Sequence, residues 1–300
     1  MGEPFIGSEA LRERRLTRHV LRTRFAALYP DVYLAAGTEP TAVSKARAAA
    51  LWTGGEGIVA GRSAGALHGS KWVSANAPAE VLWDNRRAPR GLHVWSDSVG
   101  ADEVQTIGGI RVTTPERTAL DIARRYPRKR AVAAIDALAR ATRMKIADVE
   151  LLADRYKGRR GIRQAREIVN LVDPGAESPQ ETYLRLLVMD HDFPPPQTQI
   201  PVYDECGVLV AELDMGWEDM MIGLDYEGDH HRQTRYAFNK SIRRHDAVTG
   251  LGWTDIRVTS SDTDGGIIAT LASAWRQRLC AQGEDPASGP PWTHARRRTK

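Results

Sequence analysis

The chain has 300 residues, 42% of them hydrophobic, and carries a formal net charge of +4 at pH 7. This length and composition exclude a single small domain and predict about two domains with ordinary cores. Only Cys206 and Cys280 occur, without Cys-x-x-Cys or Cys/His spacing, which argues against a disulfide scaffold and a structural zinc site. The sequence has no apolar signal segment at its start and no apolar stretch near the roughly 20 residues of a membrane span. We therefore expect a cytoplasmic protein in a reducing setting, without a membrane partner.

The net charge is mild for a nucleic-acid-binding protein, so the distribution of the charge is more informative than its sum. Arginines crowd one N-terminal stretch and the C-terminal end of the chain. They are Arg12, Arg14, Arg15, Arg18, Arg22, Arg24, Arg296, Arg297 and Arg298. The acidic residues of interest lie between Glu177 and Glu227.

Two short helices and a hairpin are predicted at the N-terminus. Ser8 is expected to cap a helix that runs to Arg14, and Thr17 is expected to open a second helix that runs to about Arg24. The segment Phe25–Leu34 then indicates two β segments around a turn. This order is typical of a winged helix-turn-helix module, to which we assign residues 1–36.

The second helix of such a module would present Arg18, His19 and Arg22 to a DNA groove or to its phosphates. An arginine-rich amphipathic helix can equally be a solvated face. The sequence leaves both interpretations open.

Residues 37–172 are predicted to form an α+β region. A helix from Thr41 to Trp52 precedes a short helix that Ser63 would cap, and Thr114-Pro115 starts a run of further helices. Three apolar stretches between turns indicate a small antiparallel sheet. They are Val81–Trp83, Leu92–Trp95 and Ile110–Val112. The clearest linker signal is Asp173-Pro174-Gly175, where we place the main domain boundary.

Residues 173–281 show a different pattern. A helix starts at Ser178-Pro179, a hairpin turns around Asp204–Gly207, and a third strand ends at Glu227. A basic helix, a fourth strand and a last helix follow, which gives the order α-β-β-β-α-β-α. Residues 282–300 are rich in Pro, Gly, Ser and basic residues, and we expect them to be a disordered tail. The expected fold class is a two-domain α+β and α/β protein.

Three carboxylates are expected to meet at strand ends. Side chains alternate faces along a strand, so Asp225 and Glu227 share one face, and pairing of neighbouring strands could bring Asp214 beside Asp225. Crowded carboxylates raise each other's pKa unless a cation neutralises them, and oxygen ligands select Mg²⁺ or Mn²⁺. Such an ion polarises a phosphate and activates a water molecule. The competing interpretation is that these are ordinary solvated residues at strand ends.

The region Ser178–Trp275 resembles the Vsr-like (very-short-patch-repair-like) endonuclease domains of the PD-(D/E)XK nuclease superfamily. The matching pieces are Ser178-Pro179-x-Glu181, Glu212-Leu213-Asp214-Met215-Gly216-Trp217, Leu224-Asp225-Tyr226-Glu227-Gly228-Asp229-His230-His231-Arg232, and Arg243-Arg244-His245-Asp246 before Leu251-Gly252-Trp253-Thr254-Asp255-Ile256-Arg257-Val258. The resemblance implies a restriction-endonuclease-like fold for residues 173–281. It also implies Mg²⁺-dependent hydrolysis of phosphodiester bonds in DNA, in phage defence or repair.

Carried over residue by residue, the resemblance makes Asp214 the central metal ligand and Asp225 the second. Glu181 would be a helix-borne ligand or a group that orients water. Glu227, a further metal ligand, stands where the wider superfamily has its lysine. The family order Glu-x-Asp is also swapped here to Asp-x-Glu, which changes the reach of each carboxylate by a methylene.

Without that lysine, the general base or the cation that stabilises the transition state would be another group. His231 and Lys240 are the candidates. Arg232, Arg243 and Arg244 suit phosphate contacts beside the carboxylates, although each could also lie on a solvated helix face.

The region Phe5–Arg125 is similar to the winged-helix regulators of the AbiEi type IV antitoxin family, which is associated with phage defence. The matching pieces are Tyr29-Pro30-x-Val32-Tyr33-Leu34, Ala60-Gly61-Arg62-Ser63-Ala64-x-Ala66-Leu67-His68-Gly69 and Thr113-Thr114-Pro115-x-Arg117-Thr118-Ala119-x-Asp121. The resemblance implies a regulator that binds DNA, with a toxin partner or a homodimer as open alternatives.

Two function hypotheses follow. In the first, a DNA-binding module positions a Mg²⁺-dependent endonuclease. In the second, an AbiEi-like transcriptional regulator or antitoxin carries a nuclease fold that has lost catalysis. The crowded carboxylates favour the first, and the missing lysine favours the second. A structural adaptor that touches no nucleic acid is a third alternative, which leaves the arginine-rich N-terminus unexplained.

Overall fold

The chain divides into two compact units, Met1–Pro174 and Gly175–Lys300. A computed structural model describes residues 2–84, 87–228 and 235–283, with only the backbone over residues 235–242. His231, Arg232, the side chain of Lys240 and most of the predicted tail lie outside the described residues. Each unit is described below by itself.

The first unit combines strands and helices. Its strands are β1 (Phe5–Ile6), β2 (Phe25–Tyr29), β3 (Val32–Ala35), β4 (Ile58–Val59), β5 (Ala79–Leu82), β6 (Leu92–Trp95), β7 (Val104–Ile107) and β8 (Ile110–Thr113). Its helices are α1 (Gly7–Arg12), α2 (Arg18–Arg24), α3 (Ala42–Trp52), α4 (Gly61–Leu67), α5 (Pro115–Arg125), α6 (Arg128–Thr142), α7 (Ile146–Arg155) and α8 (Ile162–Val169).

The N-terminal strands form a three-stranded antiparallel sheet in the order β1-β3-β2, and α1 and α2 connect β1 to β2. Helix α2 begins as expected, because the Thr17 hydroxyl accepts the Val20 N–H at 3.3 Å. The prediction that Ser8 caps α1 is wrong, since that helix begins at Gly7 without a side-chain cap. The Ser8 hydroxyl instead donates to the Asp31 carboxylate in the β2–β3 turn.

A five-stranded sheet in the order β6-β5-β4-β8-β7 follows in the chain. The prediction of an antiparallel sheet is wrong, because β5 pairs with β6 and β4 with β8 in parallel. The alternation of apolar residues predicts which face of a strand is buried, but it does not predict whether the strand runs parallel or antiparallel to its neighbour. The prediction that Ser63 caps α4 is also wrong, since Ala60 is the N-cap residue. The Ser63 hydroxyl accepts the Glu80 N–H at 3.0 Å and so ties α4 to β5.

One hydrophobic cluster joins the N-terminal hairpin to α3 and the five-stranded sheet. Its fully or nearly fully buried members include Tyr29, Val32, Ala46, Ala49, Val59, Val81 and Val112. The alanines let α3 approach the sheet closely, because they add little side-chain volume. Residues on both sides of position 36 therefore share one core.

Helix α5 carries a buried guanidinium, which matters for the stability of this unit. The Arg117 side chain is fully buried and forms ion pairs with Glu103 at 2.5 Å and with Asp121 at 2.9 Å. The Tyr156 hydroxyl lies 2.8 Å from the same guanidinium. This network links α5 to the end of α7, because Tyr156 follows that helix directly. The arginine charge offsets the cost of burying the two carboxylates.

The second unit contains α9 (Pro179–Asp190), β9 (Gln197–Tyr203), β10 (Leu209–Trp217), β11 (Ile222–Glu227), α10 (Arg235–Gly250), β12 (Thr254–Thr259) and α11 (Asp264–Ala281). This is the element order that the sequence predicts. The sheet order is β12-β11-β10-β9, with β11 and β12 parallel and the other pairs antiparallel.

Two clusters of apolar side chains enclose this sheet. The larger one includes Leu184 of α9, Leu224 of β11 and Leu271 of α11. The smaller one packs Val248 of α10 against Leu213 of β10. The chain is thus a mixed α+β protein in both units. Among the described residues, no helix has the length and hydropathy needed to cross a bilayer.

Candidate functional site

An acidic pair lies where strands β10 and β11 separate. Their ladder ends at the pair Met215 and Leu224. One step further, the Asp214 N–H donates to Asp225 Oδ1 at 2.8 Å, and the Tyr226 N–H donates to Asp214 Oδ2 at 2.7 Å. Carboxylate oxygens therefore replace the carbonyl acceptors of a regular ladder, and the two acids are held against each other's strand.

The environment of Asp214 favours its protonated form. Burial raises the pKa of Asp214 to about 7, and the negative charges of Asp225 and Glu181 add to this effect. The Tyr226 N–H and the Arg244 guanidinium act in the opposite direction. A pKa near neutrality is unusual for an aspartate.

Glu181 comes from the first turn of α9. The Ser178 hydroxyl accepts the Glu181 N–H at 3.2 Å and fixes the start of this helix. The Glu181 side chain is buried, and its Oε2 accepts the Glu177 N–H at 2.7 Å. Helix α9 thus contributes a third acid whose charge raises the pKa of Asp214.

Arginines neutralise two of the predicted ligands. Arg244 of α10 lies 2.6 Å from Asp225 Oδ2, and it also donates to the Glu212 carbonyl. Burial raises the pKa of Asp225, and the Arg244 charge lowers it. On the parallel strand β12, Arg257 lies 3.1 Å from Glu227 Oε1.

A histidine–aspartate pair lies beside these arginines, and the sequence predicted neither the pairing nor a role for it. His245 Nδ1 lies 2.7 Å from Asp255 Oδ2, and the Asp255 side chain is almost completely buried. Asp255 and Arg257 share a face of β12, since they are two residues apart. In the parallel pairing of β11 with β12, Arg257 lies opposite Asp225, so this face of β12 borders the acidic pair. The sequence could not predict this neighbourhood, because it does not specify which strands pair.

The carboxylate oxygens have the chemistry that a hard divalent ion prefers. Their present contacts do not form a metal site. Among the described residues, no three His, Cys, Asp or Glu side chains are grouped so that they could hold an ion. Arg244 would have to leave Asp225 first, so no reaction step through a metal follows from this arrangement. The Mg²⁺ or Mn²⁺ site of Asp214, Asp225 and Glu227 stays a prediction.

The basic helix α2 exposes the side chains predicted to face DNA. Arg18, His19 and Arg22 are exposed, while Leu21 is buried and anchors the helix. Among the described contacts, neither Arg18 nor Arg22 forms an ion pair. Arg243 of α10 is also exposed, whereas Arg244 turns toward the acidic pair.

Two neighbouring arginines behave differently from those of α2. Arg12 lies 3.9 Å from Glu9, and Arg15 lies 2.7 Å from Glu13. Because both lie near α2 but outside it and carry the same charge, they serve as a comparison for Arg18 and Arg22. Within the part of the chain that the structure describes, α2 thus keeps positive charge that no acidic side chain neutralises.

Residues 60–173 match the AbiEi antitoxin C-terminal domain family. Two similar proteins come from Mycobacterium tuberculosis: uncharacterized protein MT2308 of strain CDC 1551 / Oshkosh and uncharacterized protein Rv2248 of strain ATCC 25618 / H37Rv. Each is 31% identical over 230 residues, which cover 76% of this chain and 83% of the relative. The chain belongs to the same family as these two mycobacterial proteins. No solved structure gives a significant match.

The AbiEi match confirms part of the resemblance seen in the sequence. It includes the pieces around Gly61 and Arg117, and in the structure both are packing sites. Gly61 has φ +53°, and an added Cβ would lie 2.3 Å from Glu80 and 2.4 Å from Trp95. The match does not reach α2 or the second unit, so the winged helix and the Vsr-like nuclease domain stay predictions.

Proposed function

We propose that this protein is a DNA-binding regulator of the AbiEi antitoxin type. The observation that carries the proposal is the row of exposed basic side chains on α2, next to the β2–β3 hairpin of a unit that matches the AbiEi domain. Residues 1–36 would be the winged helix-turn-helix module, residues 37–172 the AbiEi-like region, and residues 173–281 a nuclease-type domain.

The construction of α2 supports contact with a polyanion. Thr17 caps the start of the helix and Leu21 is buried beneath it, so Arg18, His19 and Arg22 extend from an anchored helix. Guanidinium groups without a protein carboxylate keep their charge available for phosphates. The hairpin that follows directly would take the part of the wing.

The acidic centre of the second unit supports a regulator more than an enzyme. Arg244 and Arg257 neutralise Asp225 and Glu227, and the lysine of the nuclease superfamily is absent. In this proposal the centre is a structural ion network within a nuclease-type fold. A toxin encoded with the regulator or a second copy of the chain would be its protein partner.

The test compares two double variants of equal charge. Fluorescence anisotropy measures binding to a labelled DNA duplex over a series of salt concentrations. For Arg18→Ala with Arg22→Ala, we expect weaker binding and a salt slope that is smaller by about 2, because each arginine would neutralise one phosphate.

The matched control is Arg12→Ala with Arg15→Ala, which removes the same charge from residues already paired with Glu9 and Glu13. This control should keep the slope of the unaltered protein. Equal slopes for both double variants would remove α2 from the DNA interface.

A second candidate function is a Mg²⁺-dependent endonuclease, and the position of Asp214 favours it. Asp214 and Asp225 lie side by side with Glu181 close enough to raise the pKa of Asp214. Asp214 and Asp225 would bind the ion together with Glu227, and Glu181 would orient water. His231 or Lys240 would supply the missing base or cation, with Arg232, Arg243 and Arg244 on the phosphates.

This candidate predicts that the protein nicks supercoiled plasmid with Mg²⁺ or Mn²⁺, and that Asp214→Ala abolishes the activity. Glu205→Ala, in the exposed β9–β10 turn, is the control and should be as active as the unaltered protein. If all three proteins bind DNA but none cuts it, the endonuclease candidate is excluded and the regulator stands.

A further inference from the structure

An open cleft of about 450 Å³ lies in the first unit, and none of its lining residues belongs to α2. It is bounded by the segment before β1, the C-terminal end of α3 and the turn between β7 and β8. Its volume is within the range of sites that bind small organic molecules.

The walls of the cleft combine apolar and polar surface in similar amounts. Apolar contributions come from Pro4, Ile6, Leu51 and Ile110. Pro4 is buried. The other three side chains are half-buried, so these three keep apolar surface in contact with water. A ligand with an apolar body would gain from covering that surface.

Arg47 supplies the cationic end of the cleft. Its Nη1 lies 2.6 Å from Glu3 Oε2, and the two side chains are 39% and 68% exposed. The Nε atom of Arg47 is buried and makes no hydrogen bond with the described residues. An ion pair this exposed is weak, so a carboxylate from solution can compete with Glu3 for Arg47.

Two glycine turns border the cleft. Gly54 and Gly55 follow α3, and Gly108 and Gly109 form the β7–β8 turn, all with positive φ between +55° and +82°. A Cβ at any of them would find no atom within 4 Å. Arg111 closes one side by donating to the Glu56 carbonyl at 2.8 Å.

We propose that this cleft binds a small organic carboxylate with an apolar body. The ligand's carboxylate would take the place of Glu3 on Arg47, using the guanidinium group, and its apolar body would lie against Leu51 and Ile110. In the structure, Glu3 occupies the position of that carboxylate. The proposal does not depend on DNA binding or on nuclease activity.

The test titrates the full chain with 1-naphthoate and, separately, with its neutral analogue 1-naphthamide, by isothermal titration calorimetry. We expect saturable binding of the carboxylate and much weaker binding of the amide. Glu3→Gln should tighten naphthoate binding about two- to fivefold, because it removes the competing side chain. Arg47→Gln should weaken it at least about tenfold, because it removes a charge-assisted contact.

The control is Glu13→Gln, an exposed acid whose ion pair with Arg15 is not part of the cleft. It should bind naphthoate as the unaltered protein does. Glu3 is exposed, so its variant tests the proposal even if Arg47→Gln reduces folding. Absence of saturable naphthoate binding, equal binding of the amide, or an affinity that Glu3→Gln leaves unchanged or weakens would overturn the proposal.

Discussion

Replacing Asp214 with asparagine should stabilise the protein at alkaline pH. Burial and the neighbouring acids raise the folded-state pKa of Asp214 to about 7, from an ordinary value of 3.8. Between these two values the folded state keeps a proton that the unfolded state has released, so stability falls as the pH rises. Above about pH 7 the full cost of the ionised carboxylate is present.

The size of the effect follows from the shift. Integrating the proton difference predicts that the advantage of Asp214→Asn over the unaltered protein grows by about 3 kcal/mol between about pH 5 and about pH 8.5. The amide oxygen can still accept the Tyr226 N–H, which Asp214 accepts at 2.7 Å. The variant should therefore fold with this hydrogen bond intact.

The assay is urea denaturation of both proteins in metal-free buffer at the two pH values, with the difference in free energy of unfolding as the readout. Comparing the two proteins at each pH cancels the contribution of the first unit. Asp219→Asn changes an exposed aspartate in the turn after β10 and should show no such growth. A pH-independent difference for Asp214→Asn would refute the inference that Asp214 is partly buried next to two other acids.

Other predictions concern buried charges. Arg117→Leu removes the cation of Glu103 and the nearest cation of Asp121, and it should cost about 3–5 kcal/mol in urea unfolding. Arg155→Leu breaks the exposed pair with Asp102 and should cost less than about 1 kcal/mol. Equal costs would contradict the burial of Arg117. Arg244→Gln removes the cation beside Asp225 and should raise the affinity of the protein for Mn²⁺ about tenfold or more. Isothermal titration calorimetry measures that affinity. An unchanged affinity would show that Arg244 does not compete with a metal ion.

Local signals in the sequence predicted many of the helix starts. Thr17, Thr114 and Ser178 each accept an N–H from the first turn of the helix that follows them. Ser8 and Ser63 have the same chemistry, but their hydroxyl groups bond to Asp31 and to the Glu80 N–H. A cap depends on whether a distant partner competes for the hydroxyl group, which a local pattern cannot reveal.

Part of the candidate site could also be predicted from local patterns in the sequence. Strand alternation and the order of the strands predicted that Asp214 would meet Asp225, and the structure brings them together. The cations were harder to predict, because Arg257 reaches the site through the parallel pairing of β11 with β12. The missing superfamily lysine directed attention to His231 and Lys240, whereas His245 and Asp255 lie in the matching pieces of the resemblance but received no role.

Hydrogen exchange of the full chain, measured by mass spectrometry with and without a saturating DNA duplex, tests the proposed function most directly. We predict slower exchange in peptides that cover α2 and the β2–β3 hairpin, residues 17–35, in buffer with EDTA. Unchanged exchange over residues 17–35, with protection confined to β10 and β11, would contradict the claim that α2 carries the contact with DNA.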